Sequence, residues 1–316
     1  MASETHTEQV LNAVGSASGA SRLTASWRRS MVKHGLDPSH HKSPRRFEMS
    51  HVAQRREELG SFLEVATPKL DQLFQMVGSA GCCVLLTDRT GVVLEQRSKD
   101  TDAETFDRWG LWAGADWSEQ SEGTNGIGTC IAETRHLTIH RDEHFFSRNT
   151  AMSCMDSPIF GPDGELIGAL DVSSCRADQT ETYARLIGNV VAQTAKQIET
   201  DAFRMAFPKA RIITAPEERG GGAVLLAVDQ DDLVIGATRA ARRLYELGRG
   251  GVIVPRPASD ILGRDTGVSA LERAERAALK RAIARAGGNM SAAARELGIG
   301  RATLYRRMNR LGLGES

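Results

Sequence analysis

The sequence predicts an α+β chain of several domains: a central antiparallel sheet with helices packed on it, a short strand–turn–strand–helix unit, and an all-α tail. Three observations carry this. CCVLLTDRTGVVLEQ and SPIFGPDGELIGALDVSS are each a pair of apolar strands around a turn bearing Asp and Gly, where Asp bonds the local backbone and Gly accepts positive φ. RADQTETYARLIGNVVAQTAKQIETDAF follows with Leu186, Val190, Val191 and Ala195 at helical spacing. From Ala270 onward, helical runs alternate with glycine stops.

The elements divide the 316 residues as follows. Residues 1–21 are rich in Ser, Ala, Gly and Thr and are expected to be disordered. Residues 22–59 form a helical lead-in: Leu23, Trp27 and Met31 share one face, Gly35 and Pro38 end that helix, and a second helical segment begins near Ser50 with Leu59, Phe62, Leu63 and Ala66 on a stripe. PKLDQLFQMV is expected as a further, proline-led segment. The central sheet domain covers 60–202. Residues 203–255 hold AVLLAVDQDDLVIGATRAARRLYEL, which echoes the first strand pair and is short enough to be a truncated domain. A polar linker, 256–269, leads to the tail, 270–316.

Composition narrows the function classes. With 41% hydrophobic and 25% charged residues the chain is ordinary globular protein. No apolar run approaches the roughly 18 residues of a membrane span. MASETHTEQV lacks the basic-then-apolar pattern of a secretory signal, so a bacterial-type cytoplasmic protein with no membrane attachment is expected. Five cysteines (Cys82, Cys83, Cys130, Cys154 and Cys175) include no C-x-x-C pair, which indicates neither a zinc site nor a disulfide framework. Most are read as small core residues. Cys82 and Cys83 are adjacent on a strand and face opposite ways. His136, His140 and His144 recur every fourth residue, but HLTIH alternates like a strand, so convergence on a metal is not expected; no metal or cofactor is assigned.

Net charge is zero but uneven. From Ala270 to Ser316 there are ten Lys/Arg against four Asp/Glu, so this end carries +6 and the remainder −6. Such asymmetry suits a nucleic-acid-binding tail. The first tail helix, about 270–286, has a narrow apolar face of Leu271, Ala274, Ala278, Leu279, Ala282 and Ile283, whose small residues suit dimerisation. Gly287 and Gly288 stop it. Ser291 is expected to cap the second helix, Gly298 to Gly300 form a tight turn, and Arg301 opens the third. Ala294, Leu297, Leu304 and Met308 point inward. Arg301, Thr303, Arg306, Arg307 and Arg310 are left outward, and with Ser291 and Tyr305 they are the candidate DNA-contact set. Arginine can grip guanine O6 and N7 bidentately in the major groove, and others would neutralise phosphate.

GNMSAAARELGIGRATLYRRMNRLGL resembles the Fis-type DNA-binding domain that closes many bacterial enhancer-binding regulators. The resemblance implies a first helix that dimerises, a last helix in the major groove with Arg301, Thr303, Arg306 and Arg307 on base and phosphate, and a palindromic site on double-stranded DNA. SWRRSMVKHGLDP, RREEL, VLLTDRTGVVL, WSEQSEGTNGIGT, DEHFF and SPIFGPDGELIGALDVSS resemble, in order, the acetoin-catabolism-regulator subgroup of that family. There the region is a helical lead-in and a GAF sensory domain. Residues 223–247 are similar to the opening of a PAS domain. Such regulators normally carry an ATPase domain with a G-x-x-x-x-G-K-[ST] phosphate loop and a GAFTGA loop between sensor and tail. Here Gly-Lys occurs nowhere, and GAFTGA is absent.

The reading is a dimeric, ligand-responsive regulator that is not an enzyme and works without ATP hydrolysis, repressing by occlusion or contacting RNA polymerase. The alternative is a non-enzymatic co-regulator pairing with a full-length ATPase-bearing relative. Methionine sulfoxide reduction, known for some GAF domains, does not match this cysteine spacing. For a small-molecule effector the candidate lining is Trp109, Trp112 and Trp117, which serve equally as a core cluster, and Glu122, Thr124 and Asn125, which serve equally to satisfy their own loop. His144 and Cys154 complete the set.

Overall fold

The computed structural model describes residues 2–16, 21–40, 43–176, 180–215, 222–263 and 270–313. They fall into two compact units, Met1–Arg256 and Pro257–Ser316.

The first unit begins with four helices. Over residues 2–15 the expectation of disorder is corrected: α1 spans Ala2–Gly15, and Val10 is wholly buried against Trp27, Phe145 and Phe146. Burial of one face supplies the stability that an isolated helix of this length lacks. Residues 17–20 lie outside the described residues. α2, Arg22–Arg28, is capped by the Ser21 hydroxyl, which accepts from the Thr24 N–H, and continues into a π-turn at Arg29–Lys33. α3, Met49–Leu59, and α4, Ser61–Val77, meet at Gly60, whose φ is +46°. The proline-led segment is not separate, because α4 runs through Pro68 with Phe62, Ala66, Leu70, Leu73 and Val77 on its buried face.

The central sheet has strands β1 (Cys82–Thr87), β2 (Val93–Arg97), β3 (Leu137–His140), β4 (Ser153–Phe160) and β5 (Leu166–Ser174), in the order β2-β1-β5-β4-β3. All pairings are antiparallel. In the first hairpin Asp88 Oδ1 accepts from the N–H of Thr90 and Val92, and Gly91 takes φ +90°. Alternation sends Cys82, Val84, Leu86, Met155, Leu170 and Val172 to one face, where α4 and the long helix α8, Glu181–Ala206, bury them. The opposite face is covered by α5 (Ala103–Trp109), α6 (Glu119–Glu122), α7 (Gly126–Glu133) and their loops. Cys83 and Leu85 there meet Phe106, Leu111, Trp117, Ile127 and Met152.

The boundary expected at residue 202 falls inside α8. Phe203 and Phe207, at and just past its end, pack on Leu225 and Ala227 of the small unit. That unit has β6 (Arg211–Ala215), β7 (Val224–Val228), β8 (Leu233–Ala237) and α9 (Arg239–Leu244). Its β7–β8 turn repeats the chemistry of the first hairpin, with Asp229 Oδ1 accepting from Asp231 and Leu233.

The second unit opens with a single turn, α10 (Ala258–Ile261), inside the expected linker, of which 264–269 lie outside the described residues. Three helices follow: α11 (Ala270–Arg285), α12 (Met290–Glu296) and α13 (Arg301–Arg310). Leu279, Ala282, Ala293, Ala294, Leu304, Met308 and Leu311 are their shared core.

Candidate functional site

In the tail the expected turn is present: Gly298 takes φ +65° between α12 and α13, a conformation that penalises any side chain. The cap differs from expectation. Asn289, not Ser291, closes the start of α12, its Oδ1 accepting from the N–H groups of Ser291 and Ala292 at 3.1 Å. Asn is among the best N-caps, and its reach to N2 and N3 leaves Ser291 inside the helix and exposed.

α13 sorts its residues by helical angle. Leu304 and Met308 are buried, whereas Arg301, Tyr305 and Arg306 are exposed. Arg301 lies over the Tyr305 ring at 5.7 Å, and Arg306 reaches Thr303 Oγ1 at 3.4 Å. The remaining flank is tied back to α11. Arg307 pairs with Glu275 at 3.2 Å, and Arg310 forms an ion pair with the same carboxylate. Among the described residues, Arg301, Tyr305 and Arg306 are thus free of carboxylates, and Arg307 and Arg310 share one.

The central domain presents a different kind of site. On the sheet face covered by α7, the register pairs Asp156 of β4 with Asp171 of β5, and Cys154 with Ser173. All four are buried, the two aspartates completely. Ser173 Oγ lies 2.9 Å from Asp171 Oδ2 and 3.2 Å from Cys154 Sγ. Cys154 Sγ lies 3.4 Å from His144 Nε2, while His144 Nδ1 donates to the Arg141 carbonyl at 2.9 Å. That donation leaves Nε2 as the acceptor for the thiol. The chain His144–Cys154–Ser173–Asp171–Asp156 is therefore a continuous polar path through an apolar core.

Its electrostatics follow from burial. Desolvation pushes Asp171 up to about 7. Asp156 rises well above the carboxylate range through desolvation and the neighbouring Asp171 charge. Two carboxyls this close and this dry cannot both ionise. Burial lowers His144 to about 4, so it is neutral. Burial, with Asp171 and Asp156 adding to it, raises the Cys154 thiol; a reactive cysteine needs the opposite environment. As ionised acceptors, both oxygens of Asp156 and Oδ1 of Asp171 find no donor among the described residues, so the polar contact of the pair is with each other, through a retained proton. Gly126, at the start of α7, lets the helix approach, since a Cβ there would stand 2.0 Å from Asp156 Oδ2.

The other expected effector residues surround this path or lie beside it. Trp109, Trp112 and Trp117 belong to the apolar cluster on the same face. Trp117 Nε1 donates to the Gly110 carbonyl at 2.9 Å, Trp109 lies edge-on to Phe106, and Arg46 sits 5.4 Å over Trp112. Asn125 caps α7, accepting from the Gly128 N–H at 2.8 Å. Glu122 is ion-paired with Arg148, and its burial raises its pKa to about 7. Thr124 Oγ1 lies 2.8 Å from Ser26 Oγ and 3.3 Å from Ser30 Oγ. His136 Nδ1 bonds the Asp156 carbonyl and His140 Nδ1 the Ser153 hydroxyl, so the three histidines do not converge.

Sequence reading passed over Glu119, Asp156, Asp171 and Ser173. Glu119 is the hub of a buried lock: it accepts from Arg29 at 2.5 and 2.7 Å and from the Ser26 hydroxyl at 2.7 Å. SWRRS of the lead-in and SEQSEGTNGIGT of the domain are thus two halves of one polar joint. Trp27 Nε1 donates to the Glu143 carbonyl at 2.9 Å, and His6 Nε2 lies 3.0 Å from the His144 carbonyl. The available signal for the aspartates was a lone Asp inside each of two apolar strands.

Comparison with known proteins agrees with this architecture. Residues 61–198 match the GAF domain model, and residues 270–311 the model described as bacterial regulatory protein, Fis family. The chain joins a GAF domain to a Fis-family helix-turn-helix and is homologous to the acetoin catabolism regulators. It is 30% identical over 243 residues to the acetoin catabolism regulatory protein of Cupriavidus necator, covering 76% of this chain and 36% of that protein. It is 28% identical to the acetoin dehydrogenase operon transcriptional activator AcoR of Bacillus subtilis, over 56% of this chain and 29% of that one. It is 30% identical to the propane 2-monooxygenase operon transcriptional activator MimR of Mycolicibacterium smegmatis, over 51% and 27%. The chain therefore spans about a third of the length of these relatives.

Proposed function

We propose that the protein is a ligand-responsive, sequence-specific DNA-binding transcriptional regulator that acts as a dimer without hydrolysing ATP. The observation that carries this reading is the outward row of Arg301, Tyr305 and Arg306 on α13, free of carboxylates among the described residues, on the same chain as a GAF domain whose core holds a buried pair of carboxyls. α13 enters the major groove and reads bases with Arg301 and Arg306; Arg307 and Arg310 contact phosphate. α11 supplies the dimer contact through Leu271, which is 79% exposed, and a two-fold dimer reads a palindrome. A small effector binds on the α7 face of the central sheet, using Asp156, Asp171 and Ser173 within the walls formed by the tryptophans. The relatives named for acetoin and propane operons favour a small organic metabolite. The sequence lacks Gly-Lys, so no phosphate loop of the usual pattern is present, and regulation proceeds by occlusion or by contact with RNA polymerase.

Selection of genomic fragments on the purified protein, each repeated across a salt series, tests this. Recovery of a palindromic site whose affinity falls steeply with salt is the expected result. Weak binding indifferent to sequence would instead make the tail an association device.

A further inference from the structure

The first unit contains a second chemically distinctive place, away from the aspartates. A cleft of about 340 Å³ opens between the end of β4, the outer side of α8 and the small unit, with Arg135, His136, Phe160, Glu199, Arg239 and Arg243 in its lining. Its volume is in the range of small-molecule sites. Arg239 is half-buried, its guanidinium 4.0 Å over the Phe160 ring. Among the described residues, neither Arg239 nor Arg243 has an ion-pair partner; Arg135 does, at Glu133. Desolvation and the Arg243 charge push the Arg239 pKa down, and the nearby Glu199 and Glu165 charges do not cancel that push. The carboxyl facing them does not compensate fully. Glu199 Oε1 accepts from the Phe160 N–H at 2.9 Å, and burial raises Glu199 to about 7, so near neutrality it is only partly charged.

We infer that this cleft is a second ligand site, which binds a compact oxyanion, a carboxylate or phosphate group of a small molecule, between the GAF domain and the small unit. Arg239 presents a planar fork backed by an aromatic ring, which suits bidentate oxyanion recognition, and Arg243 adds a second charge at the rim. Glu199, partly protonated near neutrality, repels a bound anion less than an ionised carboxylate would, and its protonated fraction can donate to the bound oxygen. The walls come from two sheets joined by α8, so the bound anion ties β4 to α9 and fixes the small unit against the central domain.

Isothermal titration of the full chain with sodium phosphate, and separately with sodium succinate, tests the inference against sodium chloride at matched ionic strength. Saturable binding of at least one anion is expected, with Kd on the order of 1 mM. Arg239→Gln and Arg243→Gln each weaken it about tenfold or more, and Arg239→Lys weakens it less than Arg239→Gln. Arg185→Gln, on the exposed part of α8, leaves it unchanged. If melting shows that Arg239→Gln does not fold, Arg243→Gln, at an exposed position, carries the test. Preference for phosphate identifies a phosphorylated ligand and preference for succinate a carboxylate. No saturable heat from either anion up to about 20 mM, or equal affinity in the wild type and both glutamine variants, overturns the site. Neither outcome bears on DNA binding, so the two readings fail separately.

Discussion

In the tail, Arg301 and Arg306 are exposed on the outer side of α13, and among the described residues no carboxylate pairs with them. In the GAF domain, Asp156 and Asp171 are completely buried between strands, also without a counter-ion among the described residues. Both regions hold unpaired charge-bearing groups, but at very different cost. Water solvates the arginines, so their placement scarcely affects folding and is open to selection for a partner. The aspartates suppress their own charge by holding a proton, because an isolated ionised carboxylate in a dry core costs far more than a shifted pKa. Unpaired charge at a surface therefore points to a macromolecule that will meet it, and an unpaired carboxyl in a core points to a small ligand or a stability penalty.

The sharpest way to break this contrast is in the tail. Replacing Arg301 and Arg306 together with alanine should weaken binding to the selected DNA site on the order of 100-fold at physiological salt, with about 1–3 kcal/mol lost per bidentate contact. Melting should not change. Fluorescence anisotropy titrations check the first point and thermal denaturation the second, and an affinity equal to wild type would remove α13 from the groove. In the central domain the corresponding disruption falls on stability. Glu119→Ala strips the acceptor from Arg29 and Ser26 and should cost about 2–3 kcal/mol in urea unfolding, since an orphaned, partly buried charge remains. Glu119→Gln, which keeps an acceptor oxygen, should cost less.

The aspartate pair adds a pH signature. Its folded-state pKa lies above the unfolded value, with Asp171 at about 7, so the folded chain holds a proton that the unfolded chain has already released. The pair's contribution to stability should therefore fall as pH rises from about 4 through 7, and go on falling while Asp156, raised further, gives up its proton. Neutral His144, lowered from 6.5 to about 4, offsets part of the fall between those two values. Asp156→Asn should flatten that fall and close or reverse the gap to wild type at pH 8 relative to pH 5. Glu122 and Glu199, each raised to about 7, act in the same direction, so the flattening is partial. Denaturation at the two pH values decides it: an unchanged profile would mean the pair does not share a proton. The smallest effect is expected at Arg310→Ala, a loss of a few-fold in DNA affinity and a salt slope shallower by about 1. Glu275 already engages that guanidinium, so a loss as large as that at Arg306 would show the ion pair opens on DNA.

Much of the tail was legible because its signals are local. Glycine stops, an i, i+4 apolar pair at Leu304 and Met308, and exposed arginines between them need only one helix to interpret. Even there the cap was misplaced by two residues, since Asn289 and Ser291 are both good capping residues and only backbone geometry chooses between them. The central strands and their Asp–Gly turns were legible for the same reason. The lead-in was not: SWRRS reads as an amphipathic helix with basic residues, and nothing local says that Ser26 and Arg29 seat on Glu119, more than ninety positions away by sequence distance from Ser26. Residues 2–15 look featureless because their order comes from Val10 meeting Phe145 and Phe146.

What the sequence by itself determined is the set of local choices: where strands turn, where helices start and stop, which helix face is basic, and which family motifs occur in which order. Period, turn chemistry and charge act over a few residues, so they survive without a fold. Tertiary structure alone decided which polar groups share a low-dielectric space. Asp156 and Asp171 become a pair only through the register of β4 on β5, and Arg239 meets Phe160 only because α8 carries one sheet beside the other. Coulomb and desolvation energies depend on distance and burial rather than on sequence separation, so sites built from them appear only when the chain is folded.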